Sequence, residues 1–485
     1  MAWGLLACAW LVANPPFAAP DEADHYIRTV GISEGHLIGR TDPASTVGVT
    51  PRQIAWTRQT ARSVSVPAGL DPRPYTCQTG GQHGSAACLN AAHPNARAVT
   101  LVTAVGNYQP LPYLLPAVTV RLGSSPPAAL RLARAAGALL ALALYAVALF
   151  ALYDASYPGL SLAGVLLAVT PMAIFCAASV NGSGLEIASS VAFVACLLKT
   201  IREPGARVWW IAAGTTGAIV ALSRPASPVW LLLDMLAVGG WAATRETFAQ
   251  VVRKGVRWLA VPLLVAIAVN RVWESMYGSH VAIETSSLHA GLVAGVHQWW
   301  RALPELVGKF GYLNVKLPLV LPLLWLAPLL GLFVAARHLR RGEWSLIVLL
   351  LAASLVLPPV FYALFTRPTG FGLQGRQLLP VFVVLPLLVG ELAFSYRMRI
   401  GRATRRALIT AICFGVAIVQ AGAWLVNAHR FAVGPSGPTW FPAHATWNPP
   451  LGWTAWVVLI LVACATLALQ AVHTAGVPDF ATEQA

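Results

Sequence analysis

Apolar stretches close to twenty residues long recur from one end of this chain to the other, and segments bearing Lys or Arg separate them. A helix of about that length crosses the ~30 Å hydrocarbon core of a bilayer. Within hydrocarbon, only helices and closed barrels satisfy every backbone N–H and C=O. The pattern therefore predicts an all-α, polytopic transmembrane protein. Twelve spans are read: 2–19, 130–153, 159–180, 185–200, 207–223, 226–243, 256–270, 317–336, 344–366, 377–396, 407–426 and 454–473. The shortest, 185–200 and 256–270, are expected to start deeper or to lie tilted. Composition agrees, with 11% charged residues against about a quarter in a soluble chain. No repeat of fixed period is evident. Residues 1–485 read as a single membrane domain, with one large insertion at 20–129.

The net charge of +15 does not point to nucleic acid, because the basic residues sit between apolar segments. Four short connections hold 15 of the 33 Lys and Arg residues: Lys199, Arg202 and Arg207; Arg245, Arg253, Lys254 and Arg257; Arg337, Arg340 and Arg341; and Arg397, Arg399, Arg402, Arg405 and Arg406. If the spans alternate as read, all four fall on one side, and the positive-inside rule makes that side cytoplasmic. The chain is then expected in the plasma membrane with both termini inside. The loops 20–129, 271–316 and 427–453 are expected outside. Met1-Ala2-Trp3 carries no basic residue. Two readings of the start stand: a basic tail upstream of Met1, or a cleaved signal peptide without a positive n-region. Both export the 20–129 loop.

Within that loop, residues 21–34 read as a short amphipathic helix, with Pro20 before it, acids in its first turn and Gly35 closing it. Residues 40–95 are rich in Pro, Gly, Ser and Thr and read as irregular. They hold Cys77 and Cys88, whereas the other five cysteines lie in apolar spans. A pair isolated in an exported loop reads as a disulfide; metal binding with His83 and His93 is the lesser alternative. Residues 97–122 turn apolar but carry Pro110, Pro112 and Pro116. They read as interfacial or re-entrant helix. The loops 271–316 and 427–453 are rich in Trp, which favours the membrane boundary.

The polar signals with chemical potential cluster beside the loops expected outside. The first is Pro20-Asp21-Glu22-Ala23-Asp24-His25. Acids at a helix start complement the helix dipole; a carboxylate at the membrane surface also serves as a general base. Asp21 and His25 share a helix face, and Asp24 is spaced to pair with Arg28. The second is Gln374-Gly375-Arg376-Gln377. Arg376 reads as a bidentate phosphate ligand, with nearby glycine N–H groups reaching the same anion, or as a snorkelling anchor. Arg224 carries the same two readings. Glu186, at the mouth of a span after Asn181-Gly182-Ser183-Gly184, reads as a lining residue or as part of an ordinary turn. Asp234 lies inside the sixth span, where a carboxylate is a functional candidate by default. No standard zinc motif, nucleotide loop or Ser-His-Asp arrangement is present.

Taken together, the Pro-Pro-Phe…Pro-Asp-Glu-Ala-Asp-His run from Pro15 to His25, the Asn107-Tyr108-Gln109-Pro110-Leu111-Pro112-Tyr113 run and Gln374-Gly375-Arg376-Gln377 resemble the GT-C superfamily of integral-membrane glycosyltransferases. More closely, they look like a family of predicted bacterial membrane proteins of unknown function placed within it. The resemblance implies a GT-C-like fold and transfer of a sugar from a polyprenyl-phosphate donor to an acceptor outside. It makes Asp21 or Glu22 the catalytic acid/base and Arg376 a carrier-phosphate ligand. Asp24, His25, Tyr108, Gln109, Glu186, Arg224 and Gln374 are expected around the substrate. The related pattern prefers an aromatic after the arginine, where this chain has Gln377. High Ala, Arg and Gly usage, typical of GC-rich actinobacterial genes, suggests an envelope polysaccharide or glycolipid acceptor. A divalent ion bridging carboxylate and phosphate is compatible with this chemistry, and no ligand cluster demands one. The rival readings are a transporter or lipid flippase, a polymer ligase, and a structural assembly partner.

The charge pattern yields a direct test of sidedness. A membrane-impermeant thiol reagent applied from outside should label cysteines introduced near Ser63 and miss those near Gly401. The reverse pattern overturns the topology.

Overall fold

A computed structural model describes residues 1–79, 84–243, 248–279, 287–333 and 338–476. Each of the twelve apolar segments contains a helix. Among the described residues, seven are long and apolar enough to cross a membrane: Pro126–Leu152, Gly182–Arg202, Val252–Tyr277, Arg341–Thr369, Gly375–Ser395, Arg402–Val433 and Gly452–Gln470. The segment read as 159–180 is instead a bent pair, Pro158–Ala168 and Pro171–Ala177, turned by 67°. Pro171 removes a helical N–H and forces the break, and Thr170 Oγ1 caps the new helix by accepting from Ala173 N–H at 3.2 Å. The backbone groups freed at the break find partners: Gln420 donates to the Val169 carbonyl, and Met172 N–H donates to the Val307 carbonyl. Among the described residues the remaining four helices, Ala2–Ala13, Arg207–Ala221, Ser227–Ala243 and Val320–Leu332, have 12, 15, 17 and 13 residues, where a straight crossing needs ~20. The first helix stops at Ala13 rather than at residue 19 because Asn14 precedes Pro15-Pro16 and is extended.

The connections segregate onto two faces. On one, Ala86 N–H donates to the Phe431 carbonyl, Asn90 to the Thr446 carbonyl, and Arg62 and Asn107 to the Tyr277 carbonyl. The three long loops thus gather together. The 21-residue helix Gly182–Arg202 carries the chain about 30 Å away from that face. At its far end Arg202 pairs with Glu391, Arg207 lies over Trp258, and Arg397 and Arg405 lie against Tyr157. Arg245 and Arg337 lie outside the described residues. These basic residues thus lie at the end of helix Gly182–Arg202 remote from the long loops.

The 20–129 insertion is more regular than its composition suggests. Helix Glu22–Ser33 is followed by Gly35 at φ +88°, the left-handed geometry that ends helices. Helix Pro51–Thr60 follows, closed by a capping box from Thr50 and Gln53. Strands Arg40–Thr41, Arg62–Val66 and Val99–Thr103 form an antiparallel sheet, with Arg62 opposite Thr103 and Val66 opposite Val99. The expectation of irregular chain over 40–95 and helix from 97 is corrected here. The sequences Arg62-Ser-Val-Ser-Val and Val99-Thr-Leu-Val-Thr alternate in side-chain class and are rich in β-branched residues, and Val64, Val66 and Leu101 are buried. Beyond the sheet, helix Leu111–Val120 leaves Leu114, Leu115 and Val118 on an exposed apolar side, the form of a helix lying in the membrane surface. The two shortest strand pairings, including Lys309–Phe310 with Val315–Lys316, are two residues each, so the protein remains overwhelmingly helical.

Cys77 and Cys88 are joined by a disulfide; His83 lies outside the described residues. Next to the bridge, Ser85 and Thr446 are hydrogen-bonded at 2.5 Å, so the closed loop docks on the 427–453 connection. Closing a loop of this size contributes roughly 3 kcal/mol in the chain-entropy description. Peptide mass spectrometry without reductant should show the two cysteines linked, and reduction should lower the unfolding temperature. Free thiols in protein exported to an oxidising compartment would reject the pairing.

Candidate active site

The site is organised by Arg134, on helix Pro126–Leu152. An arginine this close to hydrocarbon needs a carboxylate and a full set of acceptors. Arg134 has both: Nε and Nη2 donate to the two oxygens of Glu22 at 2.8 and 2.6 Å, Nη1 donates to the Leu11 and Asn14 carbonyls, and Nη2 also donates to the Pro15 carbonyl. All of its N–H groups are therefore engaged. The side chains of Arg134 and Glu22 are 1% and 0% exposed. Glu22 Oε1 also accepts the Val180 N–H at 3.0 Å. The pair thus ties the end of the first helix, the acidic run and the turn before helix Gly182–Arg202 to one point.

Asp21 faces elsewhere. It sits at φ +60°, ψ 11°, and Phe17 at φ +58°. Left-handed geometry at a non-glycine residue costs about 1–3 kcal/mol and persists only where its surroundings impose it; Arg134 and the prolines of this run supply that restraint. Asp21 occupies the N-cap position, yet its side chain makes no capping hydrogen bond. Its Oδ2 instead accepts from Arg376 Nη2 at 2.7 Å, and its Oδ1 lies 3.4 Å from the Tyr312 hydroxyl that donates to it. The Asp21 side chain is 42% exposed and that of Arg376 7%.

Arg376 is oriented from behind. Its Nε donates to Gln374 Oε1 at 2.7 Å and its Nη1 to the Pro20 carbonyl at 3.2 Å. With the bond to Asp21, three of its N–H groups are engaged, which leaves two without a partner among the described residues. Gln377, in place of the expected aromatic, accepts the Gln374 N–H at 3.0 Å and closes the helix start. The expected glycine cradle is corrected at Gly375. Its N–H donates to Glu305 Oε2 at 3.0 Å, and a Cβ there would meet Glu305 Cβ at 2.6 Å. This glycine permits close packing rather than anion contact.

The other candidates form an adjoining layer. His25 is buried, its Nδ1 hydrogen-bonded to the Tyr113 hydroxyl at 2.7 Å. Burial pushes its pKa down to about 3; the charge of Asp21 opposes this, and those of Arg376 and Arg224 reinforce it. His25 is thus neutral, with Asp21, Arg376 and Arg224 close enough for their charges to act on it. Arg28 donates to the Tyr108 carbonyl at 2.9 Å and does not pair with Asp24 as its spacing predicts. Asp24 Oδ1 instead accepts the Ala104 N–H at 2.8 Å. Burial pushes Asp24 up to about 6, against the lowering effect of that bond. Arg224 Nη1 donates to Ser183 at 3.2 Å and lies 3.5 Å from Glu186, while Glu186 Oε1 accepts from Ser227 at 2.6 Å. The Arg224 guanidinium lies 5.9 Å from the Tyr108 ring centre.

Two expectations fall apart from this group. Gln109 donates to Glu274 at 2.9 Å and, with Asn107, ties the first loop to helix Phe248–Tyr277. Asp234 is fully buried within helix Ser227–Ala243, and neither oxygen has a hydrogen-bond partner among the described residues. Among those residues no group of three or more His, Cys, Asp or Glu side chains is placed to hold a metal ion. Arg134, Tyr312 and Glu305 were not singled out from the sequence. Arg134 had a signal, an arginine at the edge of an apolar span that lacks a nearby acid. Tyr312 and Glu305 had none.

A family model described as Predicted membrane protein (DUF2142) matches residues 5–385. No curated protein matches the chain. Among solved structures, the crystal structure of ArnT from Cupriavidus metallidurans in the apo state is similar at 15% identity and a TM-score of 0.36, covering 76% of this chain and 67% of that one. That likeness is too low to carry an argument about fold or activity.

The two adjacent acids should separate on mutation. Glu22→Gln leaves Arg134 buried with its carboxylate gone, and should cost about 3–5 kcal/mol of stability. Asp21→Asn should cost clearly less, because Asp21 is partly open to solvent and Arg376 keeps Pro20 and Gln374. Unfolding of both variants in detergent checks this, and equal losses would sink the division of roles.

Proposed function

The chain belongs to the DUF2142 family of predicted membrane proteins, and from that premise we propose that it is a GT-C-type membrane glycosyltransferase. It transfers a sugar from a polyprenyl-phosphate donor to a cell-envelope acceptor on the external face. The observation that carries this reading is the 2.7 Å pair of Asp21 and Arg376. A carboxylate just after the first helix and an arginine at the start of the tenth apolar segment meet on the face that bears the long loops.

The chemistry follows from those two groups. The acceptor hydroxyl attacks the anomeric carbon of the donor, and Asp21 takes the hydroxyl proton as the new C–O bond forms. The bond from that carbon to the phosphate oxygen breaks, and its electron pair leaves with the carrier phosphate. That leaving group is already an anion, so it needs a cation rather than a general acid. Arg376 supplies one through its two unengaged N–H groups, and as it turns toward the phosphate it releases Asp21 to act as base. Arg224, held by Ser183 and with its charge offset by Glu186, offers further N–H donors nearby. Neutral His25 adds none.

One observation favours a second reading. Asp234, buried in an apolar helix and without a hydrogen-bond partner among the described residues, is the kind of group found in transporters and flippases. Proteoliposomes loaded with labelled polyprenyl-phosphate sugar separate the two. Asp21→Asn should reduce transfer about 10²–10⁴-fold in protein that stays folded. Arg376→Lys keeps the charge but loses the fork, and should weaken donor use more than acceptor use. Wild-type transfer by Asp21→Asn would remove Asp21 from the chemistry. Movement of lipid or solute across the bilayer without sugar transfer would replace the enzyme with a transporter.

A further inference from the structure

We propose that a second anion site lies at Arg131, in a cavity that neither Asp21 nor Arg376 lines, and that it binds a phosphate ester at headgroup depth. The proposal does not rest on the glycosyltransferase reading. A cavity of about 170 Å³ opens between the end of the first helix, the start of helix Pro126–Leu152 and the turn at Trp447 and Asn448. Its volume is several times the ~30 Å³ that one water occupies in the liquid. Asn14, Pro16, Arg131 and Arg134 line it, and no carboxylate does.

Arg134 has no N–H left for a ligand, because Glu22 and three carbonyls take them all. Arg131 differs. It is half-buried and makes no hydrogen bond or ion pair among the described residues. Its neighbouring charge is that of Arg134, one turn along the helix. A second observation comes from Asn14, which is 3% exposed. Its Oδ1 accepts from Asn427 at 3.1 Å, but its Nδ2 is buried with no partner among the described residues. An unsatisfied buried donor is unfavourable unless something occupies it. The cavity is therefore lined by an arginine without a partner among the described residues, and Asn448 is exposed at its mouth. Donors of this kind, around one uncompensated positive charge, select an oxyanion, and the planar arginine fork fits phosphate.

The position sets the depth. Arg131 lies in the second turn of a 27-residue span, and the next residue, Leu132, is exposed on the outside of the helix, as is Leu139 two turns on. The guanidinium thus sits where hydrocarbon gives way to headgroups. An arginine that merely snorkelled to water would require no carboxylate-free cavity beside it.

Native mass spectrometry of the full chain in a non-ionic detergent tests the site. The probes are phosphatidic acid, diacylglycerol as its phosphate-free counterpart, and inorganic phosphate as competitor. Wild type should retain phosphatidic acid and not diacylglycerol. Arg131→Gln should weaken that retention about tenfold or more, and Arg131→Lys by less, in keeping with the loss of one charge-assisted contact. Arg121→Gln, an exposed arginine on the same face, should leave it unchanged, as should Asp21→Asn. Competition by inorganic phosphate alone would show that the phosphate group suffices; failure to compete, with phosphatidic acid still retained, would show that the acyl chains contribute. Equal retention by wild type and a folded Arg131→Gln, retention of diacylglycerol, or loss on Asp21→Asn would each overturn the proposal.

Discussion

The buried pair of Arg134 and Glu22 is the interaction on which the rest of the site depends. Two charges removed from water lose several kcal/mol of solvation each, and attraction repays this only when geometry and hydrogen bonding are complete. Here they are complete: Arg134 donates every N–H, and Glu22 accepts the Val180 N–H in addition. Such a pair is poor at adding net stability and good at excluding alternatives. The segment from Asn14 to Glu22 holds Pro15, Pro16 and Pro20 and two left-handed non-glycine residues. No local propensity favours that path. It is fixed because three of its acceptors, the Asn14 and Pro15 carbonyls and the Glu22 carboxylate, converge on one guanidinium.

That restraint divides labour between neighbours in sequence. Glu22 is enclosed and fully engaged, while Asp21, turned by its left-handed backbone, emerges beside Arg376 with part of its surface open. Environment alone assigns two chemically similar carboxylates to different tasks. The surrounding polar groups extend the same logic. Glu186 offsets Arg224, Glu305 holds Gly375 and Lys309, and Asp24 is engaged by a backbone N–H. His25 is kept neutral by burial and by the two arginines near it. Within this set, Arg376 and the exposed side of Asp21 keep unengaged hydrogen-bonding capacity side by side, which is where the proposed transfer needs it.

What was legible in the sequence was what depends on neighbours along the chain. Apolar runs and the basic residues between them located a helix in every predicted span and the two faces on which the connections gather. The isolated Cys77 and Cys88 gave the disulfide, and Pro20, Gly35 and the acids between gave helix Glu22–Ser33. What depends on distant partners was not legible. Val99–Thr103 reads as apolar chain until Arg62–Val66 is set opposite it. The Asp24–Arg28 spacing suits a pair, but the Tyr108 carbonyl and Ala104 N–H compete better once the loop folds back. Gly375 suggested an anion cradle because its role, contact with Glu305, lies 70 residues away. Pro171 was inside a predicted span and broke it, a local signal outweighed by the apolar run around it.

The two candidate sites share a wall, and the wall is stiff. Pro16 and Asn14 border the cavity at Arg131, while Pro20 and Asp21 border Arg376. Between them the chain is gripped by Arg134, and the Pro16 carbonyl also accepts from Gln78 at 2.5 Å. Coupling between sites requires an element with two arrangements that both ligands bias. Moving this segment would break several charge-assisted hydrogen bonds in a site closed to water, where each lost bond leaves a buried group unsatisfied. The physical expectation is therefore insulation. On the proposal above, a phosphate held at Arg131 would leave the geometry of the Asp21–Arg376 pair unchanged.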